Sequence, residues 1–138
     1  MVLNRIDKWL KDLTPKEKRN KETSQLSDYY THLETKNIDG KEVYIFDSLI
    51  PENQEFHISR HNRFAIVPAH IHTFIEINYV YSGQCKQVID GKEVTLSRGQ
   101  ICLVDTDVPH SILETTEDDI IINILIRKEY FIKTLSNK

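Results

Sequence analysis

Apolar residues recur at two different spacings along the chain, and the spacing changes near residue 40. Helical spacing near the N-terminus predicts an amphipathic helix over the first dozen residues; its apolar members are Val2, Leu3, Ile6, Trp9, Leu10 and Leu13. A second, very polar helix is predicted after it, because Thr14 can cap, Pro15 suits the first helical position, and Glu17 completes a capping box. The turn dipeptide Asp39-Gly40 ends this part of the chain, so we expect residues 1–40 to form a helical arm outside the core.

From Lys41 onward the pattern is that of short β-strands. The strand-like runs are "KEVYIF", "EFHISRHNRFAIV", "FIEINYVYSG", "QCKQVID", "KEVTLS", "RGQICLVDTDVPHSIL" and "EDDIIINILIRKEYF". Asp90-Gly91 lies between two alternating runs and predicts a type I′ hairpin. Several short strands at this spacing predict an antiparallel sandwich or barrel over residues 41–127. Helical texture returns at 128–138, where we expect the start of a C-terminal helix or linker.

Composition sets limits on function. With 138 residues and 39% hydrophobic content the chain is expected to form one domain, and its net charge of −3 argues against nucleic-acid binding by the whole chain. Residues 1–21 carry seven Lys or Arg against three acidic residues, a balance of +4 that leaves −7 for the remainder. This basic segment is interpreted as a solvated helix face rather than a phosphate site.

Cys85 and Cys102 are the only cysteines, and neither a CxxC motif nor a zinc-finger frame surrounds them. No apolar run resembles a signal peptide or a membrane span. We therefore expect a soluble, cytoplasmic chain with ordinary thiols and no membrane partner.

The stretch "HIHTFIEINYVYSG" contains the strongest chemical signal. Side chains alternate across a strand, so His70 and His72 share one face, and Glu76 would share it if the strand ran on unbroken or resumed in register, while the opposite face is apolar. Burying two imidazoles and a carboxylate costs several kcal/mol unless a metal, a ligand or hydrogen-bond partners compensate. A lone histidine would more often be a satisfied core residue, and three such groups weaken that alternative.

The spacing of these residues resembles the first motif of the cupin superfamily: His-x-His, three residues, Glu, six residues, Gly. A looser second motif runs from Gly99 to Glu114 and contains His110. Family members usually have Pro, Gly and Asn at Asp105, Asp107 and Glu114, and the opening glycine of the first motif is replaced by Phe64. The resemblance implies a cupin-type jelly-roll β-barrel whose interior is lined by the metal-ligand positions His70, His72, Glu76 and His110.

The sequence through and between the motifs, "HTFIEINYVYSGQCKQVIDGKEVTLSRGQICLVDTDVPHSI", resembles the N-terminal sensor cupin of AraC-type transcription regulators. The resemblance spans roughly residues 43 to 132. That resemblance implies a ligand-sensing and dimerising domain, not an enzyme, with a sugar or metabolite as effector. DNA would be bound only through two C-terminal helix-turn-helix units that this chain lacks. Because "YFIKTLSNK" looks like a helix cut short without a C-cap glycine, we expect a sensor fragment rather than a natural stand-alone cupin.

Three alternatives remain open. The same four residues could bind a divalent transition metal, the candidate cofactor, in a small stand-alone dioxygenase or isomerase. The apolar residues of the C-terminal helix could pack back on the barrel or form homodimer contacts; they are Leu125, Ile126, Tyr130, Phe131, Ile132 and Leu135. The basic arm could contact nucleic acid, but Ile6, Trp9 and Leu10 more readily pack on the barrel or a partner. His57 is interpreted as a rim residue, and His61 as a weak pocket candidate.

Overall fold

The computed structural model describes residues 2–23 and 28–136. Residues 24–27 of the predicted arm and residues 137–138 of the predicted C-terminal segment lie outside this part. The helices are α1 (Val2–Lys11), α2 (Pro15–Glu22), a 3₁₀ helix (Asp28–His32) and α3 (Lys128–Ser136). The strands are β1 (Thr35–Ile38), β2 (Lys41–Phe46), β3 (Phe56–Arg60), β4 (Val67–His72), β5 (Phe74–Ser82), β6 (Gln84–Ile89), β7 (Lys92–Ser97), β8 (Ile101–Val104), β9 (His110–Ile112) and β10 (Ile120–Arg127).

The strands form two sheets that enclose the core. One sheet has the order β1-β2-β4-β9-β6-β7 and the other the order β3-β10-β5-β8. The main core cluster combines Val80 and Ile121 from the four-stranded sheet with Cys85, Leu96 and Ile112 from the six-stranded sheet. Apolar side chains of both sheets therefore meet between the layers, as in a double-sheet jelly roll. The predicted cupin-type jelly roll with flanking helices is confirmed.

One strand pair departs from the predicted antiparallel pattern. β2 runs parallel to β4, with Tyr44 opposite His70 and Phe46 opposite His72. The chain between these two strands crosses to the other sheet and contributes β3 there, and only such a long crossover permits parallel neighbours. The pairing places β2 directly beside the histidine-bearing strand.

The predicted turns are present. Asp90 and Gly91 both have positive φ angles, 50° and 79°, as a type I′ hairpin requires, and they join β6 to β7. Gly83 has φ 69°, and a Cβ there would lie 2.3 Å from Asp119 Oδ1. Only glycine fits at this junction of β5 and β6, since the clash would be with a side chain and a backbone that are both fixed.

A buried carboxylate, that of Glu17, lies at the centre of the contact between the N-terminal helices and the barrel. The capping box of α2 forms as predicted between Thr14 and Glu17. Glu17 is fully buried and accepts hydrogen bonds from Arg60 at 2.7 Å and from Arg63 Nε at 2.6 Å. The same guanidinium groups donate to backbone carbonyls at the end of α1, including that of Asp12. We call Glu17, Arg60 and Arg63 the arm clasp.

Other features of the arm differ from expectation. Leu10 packs inside, but Trp9 is 70% exposed and Ile6 is exposed as well, so these two residues do not pack on the barrel, and their packing on a partner stays a prediction. Residues 35–38, predicted to belong to the arm, form β1 and pair with β2. The division of the chain at residue 40 stays a prediction. Among the described residues, no helix combines the length and apolarity needed to cross a membrane.

Candidate functional site

Three histidines come together inside the barrel from two neighbouring strands. His70 and His72 lie on β4, and His110 opens β9 directly opposite His70. All three are nearly inaccessible, with 1–2% of their surface exposed. The ring centroids of His70 and His110 are 4.0 Å apart, and those of His72 and His110 are 4.9 Å apart. His70 and His110, 40 positions apart in the sequence, are thus neighbours, because β4 and β9 pair at this register.

Each of these imidazoles uses Nδ1 for a bond to the backbone. The Nδ1 atoms of His70, His72 and His110 lie 2.8, 2.7 and 2.9 Å from the carbonyl oxygens of Pro68, Phe74 and Val108, respectively. A carbonyl only accepts, so Nδ1 carries the proton and Nε2 keeps a free lone pair. This fixed tautomer is the one that metal-ligating histidines use.

The free nitrogens of the three rings converge. One ligand nitrogen from each histidine lies within 4.8 Å of the others. Nε2 of His72 and Nε2 of His110 are buried without a hydrogen-bond partner. Buried polar atoms of native proteins are rarely unpaired. A convergent pair of such atoms is therefore best explained by a group that binds between them.

Glu76 adds a carboxylate to this cluster from the opposite sheet. Its Oε2 atom lies 3.5 Å from His110 Nε2, too far for a good hydrogen bond, and the side chain is 9% exposed. Asn78, two residues further along β5, donates to the same Oε2 at 3.1 Å. The four predicted site residues are therefore brought together, and we call His70, His72, His110 and Glu76 the four-residue cluster. Their role as ligands stays a prediction.

Buried amides continue from Glu76 across the barrel. Asn78 is fully buried; it donates to Asn123 Oδ1 at 2.8 Å and accepts from Gln87 Nε2 at 2.8 Å. The Oε1 atom of Gln87 is buried and has no partner. Hydrogen bonds from Gln87 to Asn78 and from Asn78 to Glu76 thus hold the Glu76 carboxylate in place, and the Oε1 atom of Gln87 remains a free acceptor.

The electrostatic environment keeps the four-residue cluster ready for a cation. Burial, followed by the proximity of His110, lowers the pKa of His70 to about 3, and burial also lowers the pKa of His72. Burial raises the pKa of Glu76, but the interactions with His110, His72 and Asn78 outweigh that effect and bring its pKa to about 2. At neutral pH, His70 and His72 are therefore uncharged and can offer their nitrogen lone pairs to a cation. The ionised carboxylate of Glu76 beside them also favours a bound cation.

Aromatic rings shape the walls around two of the histidines. Phe46 stacks on His70 and Phe74 stacks on His72, each with ring centroids 4.2 Å apart. The stacking restricts rotation of both imidazoles, so their Nε2 atoms point in one direction before any ligand binds.

The two backbone sites where the resemblance expects glycine keep a glycine-like conformation. Phe64 has φ 66° and Asp107 has φ 60°, both in the left-handed region that bulky residues rarely adopt. The backbone N–H of Asp107 donates to the carbonyl of His72 at 2.9 Å. The departures in the motif therefore change the side chains and preserve the turn beside the site. Asp105, Asp107 and Glu114 are exposed.

The remaining histidine predictions have different outcomes. His57 lies half-buried on β3, consistent with a rim position. His61 is buried, its Nε2 has no partner, and burial lowers its pKa to about 4.

Sequence reasoning missed three amide side chains next to the site: Asn78, Gln87 and Asn123. Their signal was a polar residue at an inward position of a strand, the same parity argument that selects Glu76.

Several solved structures resemble this one at low identity. A conserved protein of unknown function from Streptococcus pyogenes has 13% identity and a TM-score of 0.48, with 60% of this chain and 80% of that chain covered. A cupin protein from Bacteroides fragilis has 19% identity and a TM-score of 0.45, with coverage of 54% and 68%. A salicylate 1,2-dioxygenase from Pseudaminobacter salicylatoxidans has 17% identity and a TM-score of 0.45, with coverage of 59% and 22%. These values carry no information on ligand or activity.

No curated protein shows a significant match to the chain. The model of the family described as the AraC-like ligand binding domain matches residues 53–121, which is half of the chain. The matched segment runs from just before β3 to the start of β10 and contains all of the four-residue cluster. The chain belongs to the AraC-like ligand-binding domain family.

Proposed function

We propose that this chain is the ligand-sensing and dimerisation domain of an AraC-type transcription regulator, and that it binds a small polar effector inside the barrel. Membership of the ligand-binding family supports the sensing role. The observation that carries the proposal is the buried convergence of free imidazole nitrogens from His70, His72 and His110 beside the Glu76 carboxylate. A stable core would not leave such atoms unpaired, whereas a binding site requires them.

The donor set also fits a divalent transition metal. Imidazole nitrogens with a carboxylate oxygen are ligands that Fe(II), Mn(II), Ni(II) and Zn(II) accept, and the Nδ1 bonds supply the outer support such ligands need. His70, His72, His110 and Glu76 would hold the ion. When bound, the metal would supply a positive centre that attracts an oxygen atom of the effector.

The residues of this chain favour an oxygen-rich effector such as a sugar or a hydroxylated metabolite. Gln87 Oε1 is a buried acceptor without a partner, so it can receive a hydrogen bond from a hydroxyl group. The phenyl rings of Phe46 and Phe74 exclude water from the stacked faces of His70 and His72. In the regulator, the effector would reach this site from the cytoplasm, and DNA would be bound through a region outside this chain.

The alternative function is a small metal-dependent cupin enzyme that uses the same four residues. The observation in its favour is the three-imidazole, one-carboxylate set itself, which can bind a redox-active metal. We propose that the domain binds rather than converts its ligand, because the family is one of ligand-binding domains.

Metal analysis and ligand screening of three purified proteins test these functions. The parent is compared with His72→Ala and with His57→Ala, a control that removes a half-buried imidazole outside the cluster. We expect a stoichiometric metal in the parent and in the control, and its loss in His72→Ala. A panel of sugars and hydroxy acids should contain a compound that raises the unfolding temperature of the parent and the control only.

Two results would contradict the proposal. Turnover of a panel compound by the metal-loaded parent would establish the enzyme, and stabilisation that survives in His72→Ala would move the effector site elsewhere. The regulator assignment is tested separately, by whether the reading frame that encodes this chain continues into two helix-turn-helix units.

A further inference from the structure

The outer face of the four-stranded sheet is almost entirely apolar. The register of the pairs places side chains of β3, β10, β5 and β8 in transverse rows on this face. We call these positions the outer apolar face: Phe56, Ile58, Arg60, Ile75, Ile77, Tyr79, Ile101, Leu103, Ile122, Ile124 and Ile126. The opposite parity carries Glu76, Asn78 and the core residues, so the alternation shows which side is inner and which outer.

Many members of this face have no cover. Ile101 is 65% exposed, Ile58 57% and Leu103 51%, and Phe56 and Tyr79 are exposed to a lesser degree. Ile77 and Ile124, which lie opposite each other at the centre, are half-buried by their neighbours on the sheet. Sheets with one face toward solvent usually carry polar side chains on that outer face, whereas the outer face of this sheet is apolar. A free apolar face of this kind marks an interaction site.

The two ends of the face are framed by helices. Tyr81 donates its hydroxyl to the carboxylate of Asp7 on α1 at 2.9 Å, so α1 lies at one end. α3 contacts β5 and β10 at the other end, where Ile75 is buried. Arg60 is the one charged side chain in the rows, and it is bound to Glu17 and to α1 carbonyls. The centre therefore offers neither a charge nor a free hydrogen-bonding group apart from the Tyr79 hydroxyl.

The area is suited to a protein partner. Four strands about 4.8 Å apart, each contributing about six residues at roughly 3.3 Å, give a projected area on the order of 400 Å². The accessible surface of the face is larger than this projection, because Ile58, Ile101 and Leu103 protrude and are each more than half exposed. It is therefore on the order of the roughly 600–1,000 Å² per partner that standard interfaces bury.

We propose that a second copy of this chain packs on the outer apolar face, with the two sheets face to face about a two-fold axis. A flat aliphatic sheet without charges is complementary to a copy of itself, because paired sheets interdigitate such side chains at about 10 Å separation. A two-fold axis brings the same patch from both protomers together and leaves no apolar surface uncovered. The inference rests on the dimerisation part of the proposed function and names its surface.

Sedimentation velocity over a range of concentrations tests the surface. Leu103→Lys introduces a charge at an exposed position of the face, and Ile66→Lys introduces the same charge at an exposed isoleucine outside it. Since each substitution occurs twice in a two-fold interface, we expect the dimer dissociation constant of Leu103→Lys to rise at least about 100-fold. Ile66→Lys should behave like the parent.

A second variant keeps the test independent of folding. Each protein must retain the circular dichroism spectrum of the parent, and if Leu103→Lys does not, Ile58→Lys at the opposite edge of the face replaces it. Leu135→Lys on α3 examines the other candidate surface. A parent dimer that resists both face variants and dissociates in Leu135→Lys would overturn this inference and leave dimerisation intact. A parent that stays monomeric would overturn both the inference and dimerisation, while ligand binding is judged by the metal and effector assays.

Discussion

Two clusters of buried charge in the described part of the chain, the arm clasp and the four-residue cluster, differ in how completely their polar atoms are paired. In the arm clasp, both carboxylate oxygens of Glu17 accept hydrogen bonds from Arg60, from Arg63 and from backbone N–H groups. In the four-residue cluster, Nε2 of His72 and Nε2 of His110 have no partner. The first cluster is complete as it stands, and the second is complete only with a bound group.

This difference separates two uses of buried charge. A complete ion pair is costly to disrupt, because removing one partner leaves the other charge unsolvated. An incomplete cluster has already lost that stabilisation, so its members can be changed with less effect on folding and more effect on binding. The arm clasp is therefore interpreted as structural, and the four-residue cluster as functional.

The largest expected effect is on the free energy of unfolding when each cluster loses its carboxylate. Glu17→Gln should lower it by about 3–5 kcal/mol, because the guanidinium groups of Arg60 and Arg63 lose their counter-charge. Glu76→Gln should lower it by about 1 kcal/mol or less in metal-free protein, since an amide can still accept from Asn78. Urea unfolding measures both, with the exposed Glu22→Gln as control. Equal losses for the two variants would contradict the distinction.

The next effect concerns metal affinity. Asn78→Ala removes the amide that donates to Glu76, so the dissociation constant for Zn²⁺ or Ni²⁺ should rise about 10–100-fold without change in stoichiometry. Asn123→Ala is the matched control, because Asn123 contacts Asn78 rather than the carboxylate. Isothermal titration gives both constants, and an unchanged affinity in Asn78→Ala would show that the carboxylate needs no support.

The pH dependence of stability should separate the contribution of the buried imidazoles from that of the buried carboxylates, because the two kinds of group lose their stabilising effect in different pH ranges. With chelator present, the unfolded chain protonates His70 near pH 6.5 while the folded chain does so only near 3, so stability falls as pH falls through this range. The depressed pKa values of Glu17 and of Glu76 give a second loss between about 4.5 and about 2. Each group contributes at most about 1.4 kcal/mol per pH unit.

His70→Gln should therefore flatten the stability profile mainly above pH 4.5, and Glu17→Gln should flatten it below. Chemical unfolding at successive pH values measures both. His61, whose pKa is also lowered by burial, contributes to the upper window and should leave part of that slope in His70→Gln. A profile that both variants change identically would mean that the two clusters titrate as one unit.

The smallest expected effect is at the helix cap. Thr14→Ala removes the hydroxyl that accepts from the Glu17 N–H, and it should cost about 1 kcal/mol in urea unfolding. Thr95→Ala, at an exposed strand position, is the control. The arginine contacts of Glu17 remain in Thr14→Ala, so a loss as large as that of Glu17→Gln would show that the cap, rather than the ion pairs, holds the arm.

Local patterns were sufficient for the elements and for the candidates of the site. The period of the apolar residues predicted the first helix, Thr14 and Pro15 predicted the start of the second, and Asp90-Gly91 predicted the hairpin. Strand parity selected His70, His72 and Glu76 as candidates and the resemblance of the motifs added His110, but the strand breaks after His72, so Glu76 reaches the cluster from β5 of the other sheet. These features depend on residues close in sequence, and for such residues the geometry of a helix, strand or turn alone determines which side chains lie on the same face.

Contacts between distant residues were decided only by the tertiary structure. The capping role of Glu17 was readable from "TPKE", but its burial against Arg60 and Arg63 depends on where α2 meets the barrel. Similarly, alternation along β5 puts Tyr79 in the apolar row that is opposite in parity to Glu76, yet whether that row is covered depends on the position of α1 and α3. The sequence by itself determined which side chains each strand presents to each face. The assembled sheets decided which buried charges found partners and which did not, because pairing of buried groups depends on distances that no local pattern encodes.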